Sequence, residues 1–272
     1  MRPRKIREIA SSSNALVKVF RRALAEGKTR QGWLAVEGPI LLEEALGAAP
    51  EVKVHSVLVG RSTVEEFSVL LDRLPAEAEV AQVPDRLFRQ IAQTETPQAI
   101  AALVELPAWK LEHILSQRDV LLLVACHIQD PGNLGAMVRS SQAFGATAVL
   151  TLEETASPFN PKAVRSSTGA IFRLPVVCDL EAEELFTRLR AAQVRIVAAD
   201  PHSPVPIVRD DLTGPLAILV GNEATGLPAG IARQAHQLLS IPIRPGMDSV
   251  NAATAAGIFL YEVARQRGFR YQ

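Results

Sequence analysis

The sequence predicts an α/β protein whose larger part is a parallel sheet covered by helices on both faces, preceded by a smaller α/β unit. Three observations carry this. Unbroken apolar runs at residues 120–125, 148–152, 194–199 and 216–220 have the length and composition of strands buried on both faces. Helical patterns at 134–144, 181–192 and 249–267 separate or follow them, and strands alternating with helices make a parallel sheet. The runs also end in loops rich in glycine and polar residues, where ligands bind on such sheets.

The first hundred residues carry weaker patterns. Leu16, Val17, Phe20 and Leu24 have helical spacing, and a turn at Glu37-Gly38-Pro39 precedes a second helix through Leu41, Leu42, Ala45 and Leu46. Residues 52–59 and 80–83 read as strands, and 64–74 and 85–91 as helices. The pattern loosens around Leu106-Pro107-Ala108-Trp109-Lys110, which reads as a linker. The expected domains are therefore residues 1–107 and 118–272.

Composition bounds the function. At 272 residues, 48% hydrophobic and 21% charged, the chain buries a sizeable core and resembles ordinary globular proteins. No apolar run approaches the roughly 20 residues that span a bilayer, and the basic N-terminus has no apolar segment of an export signal. The cytoplasm is the expected location. Cys126 and Cys178 lie in apolar, strand-like surroundings outside any CxxC, and the five histidines show no ligand spacing. Both thiols are expected to be inert core residues, and no metal is implied. The net charge is zero, yet residues 1–30 hold Arg2, Arg4, Lys5, Arg7, Lys18, Arg21, Arg22, Lys28 and Arg30 against Glu8 and Glu26. Such an excess either tracks a phosphate backbone or is a solvated helix face and tail.

Three loops carry candidate chemistry. In Asp130-Pro131-Gly132-Asn133-Leu134-Gly135, Asn133 is placed to cap the following helix. Arg139, six residues on, is a surface ion-pair partner or a bidentate phosphate contact. In Val220-Gly221-Asn222-Glu223-Ala224-Thr225-Gly226-Leu227-Pro228, Gly221 would admit a ligand close to the backbone, and Glu223 is a cap or a polar contact in a site. This loop matches neither the dinucleotide fingerprint nor the P-loop. In the third, residues 241–251, Ser249 is placed to cap a helix rich in Ala and Gly. Ile241, Ile243 and Val250 beside polar groups suit a ligand with a flat apolar ring and polar edges. The Ala/Gly face implies deep burial or a subunit contact.

In this order the loops resemble the SpoU (TrmH-type) family of RNA ribose methyltransferases in the SPOUT superfamily. The carrying residues are residues 130–136 with Arg139-Ser140 and Ala143-Phe144-Gly145-Ala146, then Leu219-Val220-Gly221-Asn222-Glu223 with Gly226-Leu227, then Ile241-Pro242-Ile243 with Ser249-Val250-Asn251. A further match, Lys162-Ala163-Val164-Arg165-Ser166-Ser167-Thr168-Gly169-Ala170, lies between the first two. The resemblance covers residues 119–268 closely and extends loosely to 11–18 and Val36-Glu37-Gly38, like the small substrate-binding domain of such enzymes. It implies the SPOUT fold with a C-terminal trefoil knot, an exception to the rule that chains do not thread loops. It also implies S-adenosyl-L-methionine as cofactor, a ribose 2′-hydroxyl of structured RNA as acceptor, and a homodimer. By position, Gly221, Asn222, Ile241, Ile243 and Val250 are the expected cofactor residues, and Asn133, Arg139, Glu223, Ser249 and Asn251 the expected catalytic ones. Val250 stands where leucine is common, and Ala252 where valine is common; both keep the site apolar. The long accessory domain favours ribosomal over transfer RNA. The alternatives are a transfer-RNA 2′-O-methyltransferase, methylation of a base nitrogen, and a non-catalytic RNA-binding protein.

Overall fold

The computed structural model describes residues 5–270, so Arg2 and Arg4 of the basic segment lie outside the described residues. In chain order the elements are β1 (Ile6–Glu8), α1 (Ala15–Glu26), β2 (Leu34–Glu37), α2 (Pro39–Leu46), β3 (Lys53–Gly60), α3 (Ser68–Asp72), β4 (Glu79–Val83), α4 (Asp85–Arg89) and β5 (Ile100–Glu105). There follow α5 (Leu111–Leu115), β6 (Leu121–Ala125), α6 (Pro131–Ala143), β7 (Ala148–Leu152), α7 (Pro161–Ser167), β8 (Val176–Leu180) and α8 (Ala182–Ala191). The chain continues through β9 (Arg195–Ala199), β10 (Leu216–Val220), α9 (Ala229–Ala232), β11 (Gln237–Leu239) and α10 (Ala252–Gln266). Two compact units result: the chain up to Ala108 together with Phe159–Arg173, and Trp109–Pro158 together with Leu174 onward.

The first unit holds a five-stranded sheet in the order β1-β4-β3-β5-β2, with β5 antiparallel to both its neighbours. Asn14 begins α1 by accepting a hydrogen bond from the Leu16 amide at 2.9 Å. Val17, Phe20 and Leu24 of α1 are buried in one cluster with Phe88, Ile91 and Leu103. At the other end of α1, Gly27 has φ +94°, and a Cβ there would overlap the Phe159 carbonyl oxygen. The Lys28 ammonium sits 3.1 Å from the centre of the Phe159 ring. The basic segment is partly committed to such local partners: Arg7 pairs with Glu79 and Arg22 with Glu26. Lys18, Arg21 and Arg30 are exposed. The expected helix over 64–74 shrinks to α3, with turns at 64–67; a 3₁₀ turn at residues 61–63 precedes them, where the Ser62 amide donates to Asp85.

The second unit is built on a six-stranded sheet, β11-β9-β10-β6-β7-β8, in which every pairing is parallel. All five residues of β6, β7 and β10 are buried, as their unbroken apolar runs require. The edge strands β8 and β11 are half wet and lack such a run; of the two, only β8 shows in the sequence, through the strand-like surroundings of Cys178. Helix α10 packs on α6 and β10 through Ala252, Ala256, Phe259, Leu260 and Val263. Its far end is clasped by Arg267, which donates to the carbonyls of Asp119 and Gly214, both at 2.7 Å.

Two helix starts differ from expectation. The cap of α6 is Asp130, whose side chain accepts from the Gly132 amide at 2.9 Å. Pro131 occupies the first helical position, where its missing N–H costs nothing, and this places Asn133 inside the first turn. Asn251, not Ser249, caps α10, accepting from the amides of Ala253 and Thr254 at 2.9 and 3.2 Å. Cys126 is buried as expected and its thiol pKa is pushed far up by desolvation. Cys178, in β8, is only half-buried.

Candidate functional site

The site lies in the second unit, where the loops after β6, β9 and β10 gather with the loop before α10. Because Asn133 is freed from capping, its side chain turns to the other loops. Its amide donates to Glu223 Oε1 at 2.8 Å, and its carbonyl oxygen accepts from the Asn251 amide at 3.1 Å. The Gln129 backbone N–H approaches the other Glu223 oxygen at 3.4 Å. Partial burial pushes the Glu223 pKa upward, but the bond from Asn133 and the backbone amides outweigh it. The net effect holds the carboxyl below its ordinary value, so Glu223 is ionised at neutral pH. The chain of bonds has a fixed polarity. Asn251 spends its oxygen on α10 and its N–H₂ on Asn133, which spends its own on Glu223.

The loop after β10 is closed on itself. Asn222 and Gly226 exchange two backbone hydrogen bonds of 3.0 Å, and Asn222 Oδ1 accepts from the amides of Ala224 and Thr225. The Asn222 amide donates to the His127 carbonyl at 2.9 Å, which ties the loop to the end of β6. Gly221 is therefore needed for a reason the sequence did not show. A Cβ there would lie 2.5 Å from the Leu227 nitrogen, against the loop's own backbone, before any ligand is considered.

A cavity of about 440 Å³ opens beside this loop, within the range of small-molecule sites. Gly221, Asn222, Ile241, Ile243 and Val250 all line it, as do Glu223 and Ser249. Asn133 and Asn251 reach it through Glu223 rather than lining it. Arg139 lies farther along α6, about 9 Å beyond Asn133 at ~1.5 Å per residue, with an exposed side chain. Leu239, Ala252, Ala255 and Phe259 complete the apolar wall. The charged side chains of the lining are all acidic, Asp200, Glu223 and Asp248, with no lysine or arginine among them. Sequence reasoning missed Asp200 and Gln129. Asp200 follows an apolar run as closely as Glu223 does, so the rule that ligands gather at strand ends would have found it. Gln129 contributes to Glu223 through its backbone, which no side-chain pattern reveals. Among the described residues no group of His, Cys, Asp and Glu is arranged to hold a metal ion, and no helix is long and apolar enough to cross a membrane.

Comparison with known proteins follows this geometry. Residues 120–261 match the SpoU rRNA Methylase family, and residues 14–102 match the MRM3-like substrate binding domain. The 23S rRNA (uridine(2479)-2′-O)-methyltransferase of Streptomyces viridochromogenes is 32% identical, over 88% of this chain and 85% of its own length. The 23S rRNA (guanosine(2553)-2′-O)-methyltransferase RlmP of Bacillus subtilis is also 32% identical, over 95% of this chain and 99% of its own. Among solved structures, the SpoU methyltransferase AviRb from Streptomyces viridochromogenes, in complex with the cofactor AdoMet, superposes with a TM-score of 0.84 at 30% identity. That match covers 95% of this chain and 100% of the other. The parallel sheet, the three loops at its strand ends and these matches agree: the chain belongs to the SpoU rRNA methylase family.

Proposed function

We propose that the chain methylates a ribose 2′-hydroxyl of ribosomal RNA with S-adenosylmethionine as donor, working in the cytoplasm as a homodimer whose second unit is a knotted catalytic domain. The observation that carries this is the cavity bounded by the self-closed loop after β10 and joined through Glu223 to Asn133 and Asn251. Its residues fit the cofactor. The apolar wall suits an adenine ring, the backbone of Gly221, Ile241 and Ile243 borders the cavity as a source of polar edges, and the acidic groups of the lining suit a sulfonium cation. When bound, the cofactor supplies a methyl group already activated by the sulfonium charge.

What the protein adds is alignment and control of charge. Glu223, held ionised, fixes the Asn133 side chain, and Asn251 fixes it from the opposite side, so the polar rim is set before substrate arrives. Arg139, exposed two turns along α6, grips a phosphate bidentately and stabilises the hydroxyl oxygen as it gives up its proton. A guanidinium with a pKa above about 12 serves better as such a grip than as a base. The first unit recognises RNA. Support for the homodimer comes from an aromatic cluster of Phe144, just after α6, Tyr261 on α10 and Phe269, just after α10. Phe144 meets Tyr261 edge-on at 5.7 Å, and Tyr261 and Phe269 remain 48% and 45% exposed, an apolar surface of the kind that seeks a partner.

The test has two parts. Mapping 2′-O-methyl positions in total RNA with and without the protein identifies the acceptor; an unchanged map overturns the proposal. Arg139→Lys is expected to bind S-adenosylmethionine as wild type does by calorimetry and to lose about 10²-fold or more in turnover. An equal loss of cofactor affinity overturns the role given to Arg139.

A further inference from the structure

Asp200 is the first residue after β9, and three observations make it unusual. It lines the cavity near His202, and the carboxylates of the lining, Asp200, Glu223 and Asp248, have no lysine or arginine among them there. It is half-buried. Its position is fixed twice, because its backbone N–H donates to the Leu239 carbonyl and its Oδ1 accepts from the His202 backbone N–H, both at 2.9 Å. Among the described residues no hydrogen bond reaches its Oδ2. That oxygen is open to a donor from solvent or from a ligand in the cavity. The loop that turns at Asp200 therefore sets a carboxylate with one uncommitted oxygen in the cavity lining.

We propose that Asp200 is the residue that recognises the ribose hydroxyls of the bound cofactor, with Oδ2 accepting from them while Oδ1 holds the loop. The assignment rests on the cofactor proposed above. One carboxylate oxygen is already held by the backbone, which leaves a single acceptor of the kind a ribose hydroxyl donates to. The position also follows from strand order. β9 lies beside β10, so its end stands next to Gly221, where the closed loop brings backbone to the cavity.

The experiment is calorimetric binding of S-adenosylhomocysteine, its 2′-deoxy and 3′-deoxy ribose analogues and its des-amino analogue to wild type and Asp200→Asn. The asparagine keeps the Oδ1 acceptor for His202 and replaces only the second oxygen, so the turn is preserved; a melting temperature near wild type checks this. For the wild type, loss of a ribose hydroxyl is expected to weaken binding about tenfold or more, as for a hydrogen bond to a charged group. In Asp200→Asn the same deletion is expected to cost less than threefold, while loss of the amino group costs both proteins the same factor. Three results overturn the proposal: indifference of wild type to both deoxy analogues, equal sensitivity in the variant, or a variant that instead loses discrimination for the amino group. Failure of wild type to bind any of the four compounds overturns the cofactor assignment itself, a distinct outcome.

Discussion

At the level of single residues, the site is decided by which polar atom each side chain has left to offer. Asn133 looks like a helix cap in the sequence, and Asp130 takes that role because Pro131 fills the first helical position. The consequence is functional: a free amide bonds both Glu223 and Asn251. Gly221 shows the converse, a residue whose necessity is internal. A Cβ there meets the backbone of Gly226 and Leu227, which cannot swing aside as a side chain would. Gly221→Ala is expected to cost about 1–3 kcal/mol, as overpacking does. It should lower the melting temperature even without cofactor, and weaken cofactor binding as well. A variant of wild-type stability that only binds cofactor less well would show that the glycine serves the ligand alone.

At the level of elements, helix starts and loops cooperate. The N-terminus of α10 is held by one side chain doing two jobs: Asn251 Oδ1 caps the helix, and its N–H₂ reaches Asn133. The substitutions Asn251→Asp and Asn251→Ala separate them. Aspartate keeps the acceptor and loses the donor, so its melting temperature should stay near wild type while turnover falls. Alanine loses both and should also lose about 1 kcal/mol of stability, the usual worth of a cap. Circular dichroism melts beside single-turnover rates check this; equal turnover in wild type and Asn251→Asp would remove the Asn251–Asn133 bond from the proposed mechanism. The strands tell a related story. β6, β7 and β10 were legible because burial on both faces writes an unbroken apolar run. β1, β8 and β11 lie at sheet edges and are only partly buried, which breaks the run; β2, also at an edge, is buried at Leu34, Ala35 and Val36 but spans only four residues.

At the level of the whole molecule, charge is local rather than global. The net charge is zero, yet the cavity lining is acidic and the start of the chain is basic. Removing the first thirty residues would not test RNA binding, because β1 pairs with β4 and α1 buries Val17, Phe20 and Leu24 in the first unit's core. Neutralising Lys18, Arg21 and Arg30 together leaves that core intact. If these side chains follow an RNA backbone, the slope of log binding constant against log salt should flatten by about 0.7–0.9 per lost phosphate contact. Filter binding across a salt series measures it. An unchanged slope would make them a solvated face.

The parallel sheet, the order of the three loops and, through their combined motifs, the family are readable from the chain alone. These are written in local patterns: apolar runs, glycines beside strand ends, and fixed multi-residue spacings. Folding is what joins Asn133, Glu223 and Asn251 in one directed chain of bonds. It alone crowds Gly221 with its own loop, whereas Asp200 stands at a strand end that the apolar run already marks. It also placed residues 159–173 in the first unit, although the family's motif runs through them. The physical reason is common to all of these. Each depends on which groups from distant parts of the chain satisfy or crowd one another, and a hydrogen bond between residues 133 and 251 leaves no trace in the neighbours of either.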